Sequence, residues 1–229
     1  MKPLAVITHV DQTDIGLIDE IGRARGHDIV LARPYRGERL PEPSDTGAVV
    51  ALGGPQAAYE DHLYLRDEEH FLARAVEVGI PVLAVCLGAQ LLARALGGSA
   101  QPGDSGLEAG LIRVQSTEAG PFVISGQFFS FHFDSLTPPE NARILAASDR
   151  YVQAWTTGSA LAVQFHPEIT LAGVNRWLDV AGSKLKRNGV DLAKMRRDAE
   201  QYFAAGATGA RRFLTAWFDR LEEARYADN

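Results

Sequence analysis

The segment Ile80-Pro81-Val82-Leu83-Ala84-Val85-Cys86-Leu87-Gly88-Ala89-Gln90-Leu91-Leu92 changes character in its middle. Val82 to Val85 is an apolar run without polar alternation, the pattern of a strand buried on both faces. The run ends on Cys86, the only cysteine in 229 residues. A helical pattern follows at once, with Leu91, Leu92, Ala95 and Leu96 on one stripe and Gly97-Gly98 to stop it. Strand, cysteine, helix is the layout of a nucleophile elbow. Such a turn is tight and wants small neighbours, here Ala84 and Gly88. A thiol held there lies at a strand's carboxyl end and a helix N-terminus, which favours the thiolate and supplies backbone N–H groups. A lone cysteine after an apolar run is also often a small buried hydrophobe, so a chemical role requires partners elsewhere in the chain.

Working outward, Leu4–Ile7 reads as a first buried strand. Residues 14–25 read as a helix, with Asp14 as its cap and Ile15, Ile18 and Ile21 at helical spacing. His27–Leu31 is a second strand, and residues 33–45 a proline- and charge-rich loop expected to be mobile. Gly47–Leu52 is a third strand that ends on Gly53-Gly54-Pro55, and residues 66–78 are an amphipathic helix leading into the cysteine strand. Strands alternating with helices of this length indicate an α/β parallel sheet covered on both faces. Residues 99–165 instead hold short apolar segments divided by Gly, Pro and Asp, and read as β-rich, either part of the same sheet or a small appended one. From Thr170 the pattern is helical, in three stripes. The last, Phe213, Leu214, Trp217, Phe218 and Leu221, is too apolar to lie exposed, and is expected to pack on the main domain or on a second copy in a homodimer.

Composition narrows the function. Hydrophobic residues are 46% and charged residues 23%, enough for a substantial core. A net charge of −6 and a pI near 5.5 argue against a nucleic-acid partner. The densest basic run, Lys184-Leu185-Lys186-Arg187, reads as a solvated helix end. One cysteine forbids an internal disulfide and suits a reducing compartment. No apolar stretch reaches the about 18 residues needed to cross a bilayer, and the N-terminal run is too short for a signal peptide. A cytoplasmic protein without membrane contact is expected.

A cysteine nucleophile needs a base, commonly a histidine steered by a third group. Of six histidines, His9, His27, His62 and His70 have no local signature and read as surface residues, and His132 is intermediate. His166 stands apart. It follows the apolar run Leu161-Ala162-Val163-Gln164-Phe165 and precedes Pro167-Glu168. A carboxylate two residues on can reach the imidazole N–H and fix its tautomer. Carbonyl attack also needs preorganised N–H donors for the oxyanion. Gly53-Gly54 after the third strand can bring in one N–H without side-chain obstruction, and Leu87 the other. No Lys and Ser/Thr pair follows the glycines, so a phosphate cradle is not indicated. No His/Cys/Asp cluster has metal-ligand spacing, and no metal is implied.

Three segments together carry a family resemblance: Leu52-Gly53-Gly54-Pro55, Val82 to Gln90 around Cys86, and Val163-Gln164-Phe165-His166-Pro167-Glu168, with Cys and His 80 positions apart. In their order and spacing the chain resembles class I glutamine amidotransferases of the Cys-His-Glu type over roughly residues 4–185. It is most similar to stand-alone relatives of the GMP synthase glutaminase domain. The resemblance implies a flavodoxin-like, mostly parallel sheet with helices on both faces. It places a catalytic domain in residues 1–187, leaving 188–229 as a C-terminal helical extension packed on it. It implies Cys86 as nucleophile, His166 as base and Glu168 as its orienter, with Gly54 and Leu87 donating to the oxyanion. Gly53, Gln90 and the segment His132-Phe133-Asp134 would contact substrate, and no cofactor is implied. Ala84 stands where glycine is commoner, and Phe131 and Phe133 where many members carry Ser and Gly.

Two versions of the chemistry follow. The protein cleaves the γ-glutamyl amide of glutamine or of a γ-glutamyl amine by itself, or it passes ammonia to a separate synthase subunit. A non-catalytic binding domain is the third expectation, disfavoured by the intact Cys, His and Glu. Apolar side chains at Phe131 and Phe133 suit an apolar amine better than ammonia.

Overall fold

The computed structural model describes residues 2–11, 13, 15–117, 122 and 124–227, with the backbone alone at 224–227. Four short strands form its centre: β1 (Leu4–Ile7), β3 (Ala48–Ala51), β4 (Val82–Val85) and β11 (Ala160–Val163), each buried along its whole length. With β2 (Ile29–Ala32) they make five parallel strands in the order β2-β1-β3-β4-β11. Complete burial explains the unbroken apolar runs, because helices cover both faces. Along each strand the side chains alternate between two cores. Leu4, Val6, Val50, Leu83 and Val85 meet α1 (Gly16–Ala24) and α6 (Thr208–Ala227) on one face. Ile7, Val49, Val82 and Ala84 meet α2 (Leu63–Glu77) and α3 (Leu87–Ala95) on the other.

Beyond β11 the sheet turns antiparallel through β10 (Val152–Thr157), β9 (Arg143–Ala147), β6 (Glu108–Ser116) and β7 (Gly126–His132). The β-rich stretch of the sequence therefore does both things expected of it. Most of it extends the main sheet, while β5 (Ser99–Pro102) and β8 (Asp134–Thr137) form a separate two-stranded sheet beside α3. Helices α4 (Leu171–Arg187) and α5 (Leu192–Ala204) cover the outer face of β6 and β7, packing Val174, Leu178, Leu185 and Met195 around Phe129. Thr170 and Asp191 cap them, accepting the backbone N–H of Gly173 and Lys194 at 3.2 and 2.9 Å.

The last apolar stripe is seated on the chain's own sheet. Phe213, Leu214, Trp217, Phe218 and Leu221 are all buried in the core that α1 shares. The helix before the cysteine strand begins at Leu63, three residues earlier than its charge pattern suggests, because Leu65 is wholly buried in the second core. Asp14, read as the cap of α1, lies outside the described residues; the helix itself starts at Gly16. Residues 33–45 hold two short 3-10 turns, Pro34–Arg36 and Pro43–Asp45. Among the described residues no helix is long and apolar enough to cross a membrane. The parallel strands all run toward one edge, where Thr8-His9, Leu52-Gly53 and Cys86 follow β1, β3 and β4, and Gln164 to His166 follow β11. This carboxyl edge is where sheets of this kind bind ligands.

Candidate active site

Cys86 sits between β4 and α3 with φ 53° and ψ −109°, an unusual conformation for a residue with a side chain. Such strain costs about 1–3 kcal/mol and persists only where the surroundings impose it. They do so here. The Cys86 N–H donates to Val163 O at 2.9 Å, and the Gly88 N–H to Leu52 O at 3.2 Å. A β-carbon on Gly88 would lie 2.2 Å from the Ala51 carbonyl oxygen, so the helix approaches β3 as closely as only glycine permits. The thiol is 6% exposed and points beside the Phe131 carbonyl, with Sγ 4.0 Å from that oxygen.

The extension of β11 delivers the histidine. The His166 N–H donates to Phe129 O at 2.8 Å, which ties it to β7. Its Nδ1 is 2.7 Å from Glu168 Oε1, and both side chains are buried. The backbone carbonyl of Glu168 accepts the Leu17 N–H at 2.9 Å, anchoring the acid to the start of α1. Burial opposes a charged imidazole, but Glu168, hydrogen-bonded to the ring, and the neighbouring Cys86 push the His166 pKa up to about 10. His166 can thus stay protonated beside Cys86 through neutral pH. Titration by NMR is expected to find the His166 imidazolium intact well above neutrality. Glu168→Gln should lower its midpoint by roughly 1–3 units, the usual effect of a neighbouring opposite charge. An unmoved midpoint would show that the carboxylate does not hold the ring.

Gly53 touches both members of this pair. A β-carbon there would lie 2.7 Å from His166 Cε1 and 3.3 Å from Cys86 Cβ. One built on Gly54 would lie 2.9 Å from Leu87 Cδ2, which brings the two candidate oxyanion donors to one place. Leu87 opens α3, so its N–H has no acceptor within the helix. Among the described residues the Gly54 N–H donates to no protein acceptor. Gln90 is buried one turn into α3, its Nε2 3.4 Å from Asp134 O and 3.4 Å from Gln164 Oε1. Asp134 accepts a hydrogen bond from Tyr59 at 3.2 Å, and burial raises its pKa.

His132 does not turn its ring to this cluster. Strand alternation sends Phe129 and Phe131 to the α4 side and His132 to the opposite one. There its Nδ1–H donates to Asp134 O at 2.8 Å, its Nε2 lies 3.2 Å from Glu108 Oε2, and Tyr151 stacks edge-on. Only the backbone of His132 is left to face a ligand. His9 and His27 are buried, not surface residues as their sequence context suggested, whereas His62 and His70 are exposed. His27 rests against Phe218 of α6.

Two neighbours come from α4, and sequence alone places neither at the site: Trp177 is not singled out there, and Lys184 reads only as part of a solvated helix end. Trp177 of α4 meets the His166 ring edge-to-face with centroids 4.8 Å apart, and meets Phe131 at 5.5 Å. Lys184, two turns on, holds its Nζ 4.1 Å above the Phe133 ring. Trp177 and Lys184 are seven apart, so helical spacing puts them on one face, but nothing in the sequence aims that face at His166. Two surface clefts of about 450 and 530 Å³ lie along β6 and β7, but neither is lined by Cys86, His166 or Glu168.

With this geometry in hand, comparison with known proteins is informative. The family model for glutamine amidotransferase class-I matches residues 16–176. A GMP synthase (glutamine-hydrolyzing) of Aeropyrum pernix is 30% identical over 186 residues, covering 74% of this chain and 33% of that protein. One of a Synechococcus strain is 33% identical over 153 residues, covering 61% and 26%. The chain thus spans about a third or less of these curated relatives. A crystal structure of a glutamine amidotransferase from Thermotoga maritima superposes with a TM-score of 0.86 at 27% identity, over 96% of this chain and 97% of that one. A mixed sheet ending in a strained cysteine beside a buried His–Glu pair, matched by that family model over most of its length, places this chain in the class I glutamine amidotransferase family.

Proposed function

We propose that the protein hydrolyses γ-glutamyl amides through a thioester on Cys86, and that it does so without a partner. One observation carries this: the positive-φ Cys86 stands against a buried His166 whose Nδ1 is 2.7 Å from Glu168. In this reading the Cys86 thiolate attacks the γ-carbonyl carbon, and the oxyanion is met by the N–H groups of Gly54 and Leu87. His166 gives its Nε2 proton to the departing nitrogen, so the C–N bond breaks as ammonia or an amine leaves. His166 then accepts a proton from water, the hydroxyl adds to the thioester, and glutamate departs as the thiolate returns. Gly53 keeps the space beside both groups clear. Gln90 and the backbone of His132, Phe133 and Asp134 seat the α-groups of the substrate. Residues 1–187 supply the chemistry, and 188–229 form a helical extension to them.

The leaving-group side is walled by Phe131 and Trp177, both half-buried, beside His166. Ammonia gains nothing from such walls. Each buried methylene contributes about 0.8 kcal/mol, so two already favour an alkylamide by roughly tenfold. The isolated protein is therefore expected to be active, with kcat/KM higher for γ-glutamyl butylamide or γ-glutamyl p-nitroanilide than for glutamine. Trp177→Ala should narrow that preference. Activity that appears only with a synthase subunit, and only with glutamine, would refute it. That second reading, ammonia delivery to a separate synthase, draws support from the glutamine-hydrolysing GMP synthases among the relatives.

A further inference from the structure

The loop after β1 carries a charged pair that the chemistry above does not use. His9 is 1% exposed and Glu68, on α2, is 0% exposed. His9 Nε2 is 2.9 Å from Glu68 Oε2, and on the other side of the ring Nδ1 is 3.3 Å from the carbonyl oxygen of Gly53. Both nitrogens face acceptors. A neutral imidazole has a single N–H and can serve only one of them, whereas an imidazolium serves both. Burial disfavours the charged ring, yet the Glu68 carboxylate and the hydrogen bonds to Glu68, Gly53 and Leu52 raise its pKa above the usual histidine value.

The Gly53 carbonyl belongs to the same peptide group as the Gly54 N–H. No cis peptide is present among the described residues, so the two point in opposite directions. Gly53 itself is held between His9, on its carbonyl side, and the Cys86–His166 pair, on the side where a β-carbon would project. Fixing the carbonyl on His9 therefore aims the Gly54 N–H away from His9. A Gly-Gly peptide is free to turn over, because neither residue has a β-carbon to oppose it. A charge-assisted hydrogen bond biases such an equilibrium by roughly ten- to a hundredfold.

We propose that His9 is a positioning residue for the oxyanion hole, locking the Gly53–Gly54 peptide with its N–H inward, and that Glu68 keeps His9 doubly protonated for this task. The proposal rests on the hydrolase reading above. A role in stability alone is a poor account of the pair. Buried ion pairs stabilise little relative to apolar packing, and Glu68 Oε1 has no hydrogen-bond partner among the described residues.

The test compares two reactions of the full-length protein. Hydrolysis of γ-glutamyl p-nitroanilide passes through an oxyanion; alkylation of Cys86 by iodoacetamide displaces iodide at a methylene and forms none. His9→Leu is expected to lower kcat by roughly ten- to a hundredfold, the size of the bias that its charge-assisted hydrogen bond supplies. KM and the alkylation rate should stay within about threefold of wild type. His9→Asn places an amide donor where Nδ1 was, facing Gly53, and should recover at least about threefold of the loss. His9→Gln reaches only toward Glu68 and should not. If His9→Leu fails to fold, the Asn and Gln variants decide the matter, and equal kcat values for them would overturn the proposal. So would a His9→Leu enzyme with kcat within threefold of wild type, or one in which alkylation slows as much as hydrolysis. A wild-type protein that is alkylated at Cys86 but hydrolyses no γ-glutamyl amide would overturn the hydrolase reading itself, and this role with it. A silent His9→Leu substitution in an active enzyme overturns the positioning role alone.

Discussion

Replacing Cys86 with alanine is expected to reduce γ-glutamyl hydrolysis by at least about 10⁴-fold while leaving the protein folded. The size of the loss follows from the residue's place in a unit. On the proposed mechanism there is no acyl acceptor without the sulfur, and His166 and Glu168 then have nothing to serve, so what remains is only the effect of binding and of the N–H donors. The fold survives because little packing is lost at a small side chain whose backbone N–H is held by Val163 O, while the Gly88 N–H two residues on is held by Leu52 O. Initial rates with γ-glutamyl p-nitroanilide, alongside a thermal melt, measure both halves. Residual activity above a hundredth of wild type, with Cys86 absent, would move the nucleophile elsewhere.

The second large effect is structural. In Gly88→Ala the new methyl would sit 2.2 Å from the Ala51 carbonyl oxygen and 2.7 Å from its carbonyl carbon. These are backbone atoms of a central strand and cannot turn aside as a flexible side chain would. Helix α3 must therefore retreat from β3, and the Gly88 N–H to Leu52 O bond is strained or broken. Overpacking of this kind costs about 3 kcal/mol or more, which corresponds to a fall in Tm of roughly 6–12 °C for a chain of this size. On the proposed mechanism the same retreat moves the Leu87 N–H from the oxyanion, so activity should fall further than stability explains. A Gly88→Ala protein that melts within about two degrees of wild type would show that the elbow tolerates a looser helix.

The sequence was most readable where a residue type and a local pattern coincide. A buried apolar run ending on a lone cysteine and followed by a helix stripe located the elbow. Its strain, φ 53°, is what that sharp junction demands. His166 and Glu168 were legible because an acid follows a base by two positions at a strand end. The contacts that form the walls were not readable in this way. Trp177 reaches His166 only because α4 folds back across β7, a matter of helix packing over about ten intervening residues. His9 and Glu68 are 59 positions apart and meet because parallel β1 and β3 end at one edge beneath α2. Parallel pairing brings distant residues together without leaving a periodic trace. His132 has a ring whose direction its neighbours in sequence do not give: strand alternation sends it to Glu108, on the face opposite the one that Phe131 takes.

Trapping the acyl-enzyme tests the central claim most directly. The protein, without any partner, is mixed with γ-glutamyl p-nitroanilide, quenched in acid during turnover and mapped by peptide mass spectrometry. The mechanism predicts a γ-glutamyl group on the peptide that carries Cys86, absent from Cys86→Ala. Steady turnover with Cys86 unmodified, or a γ-glutamyl group attached to any other residue, would contradict it.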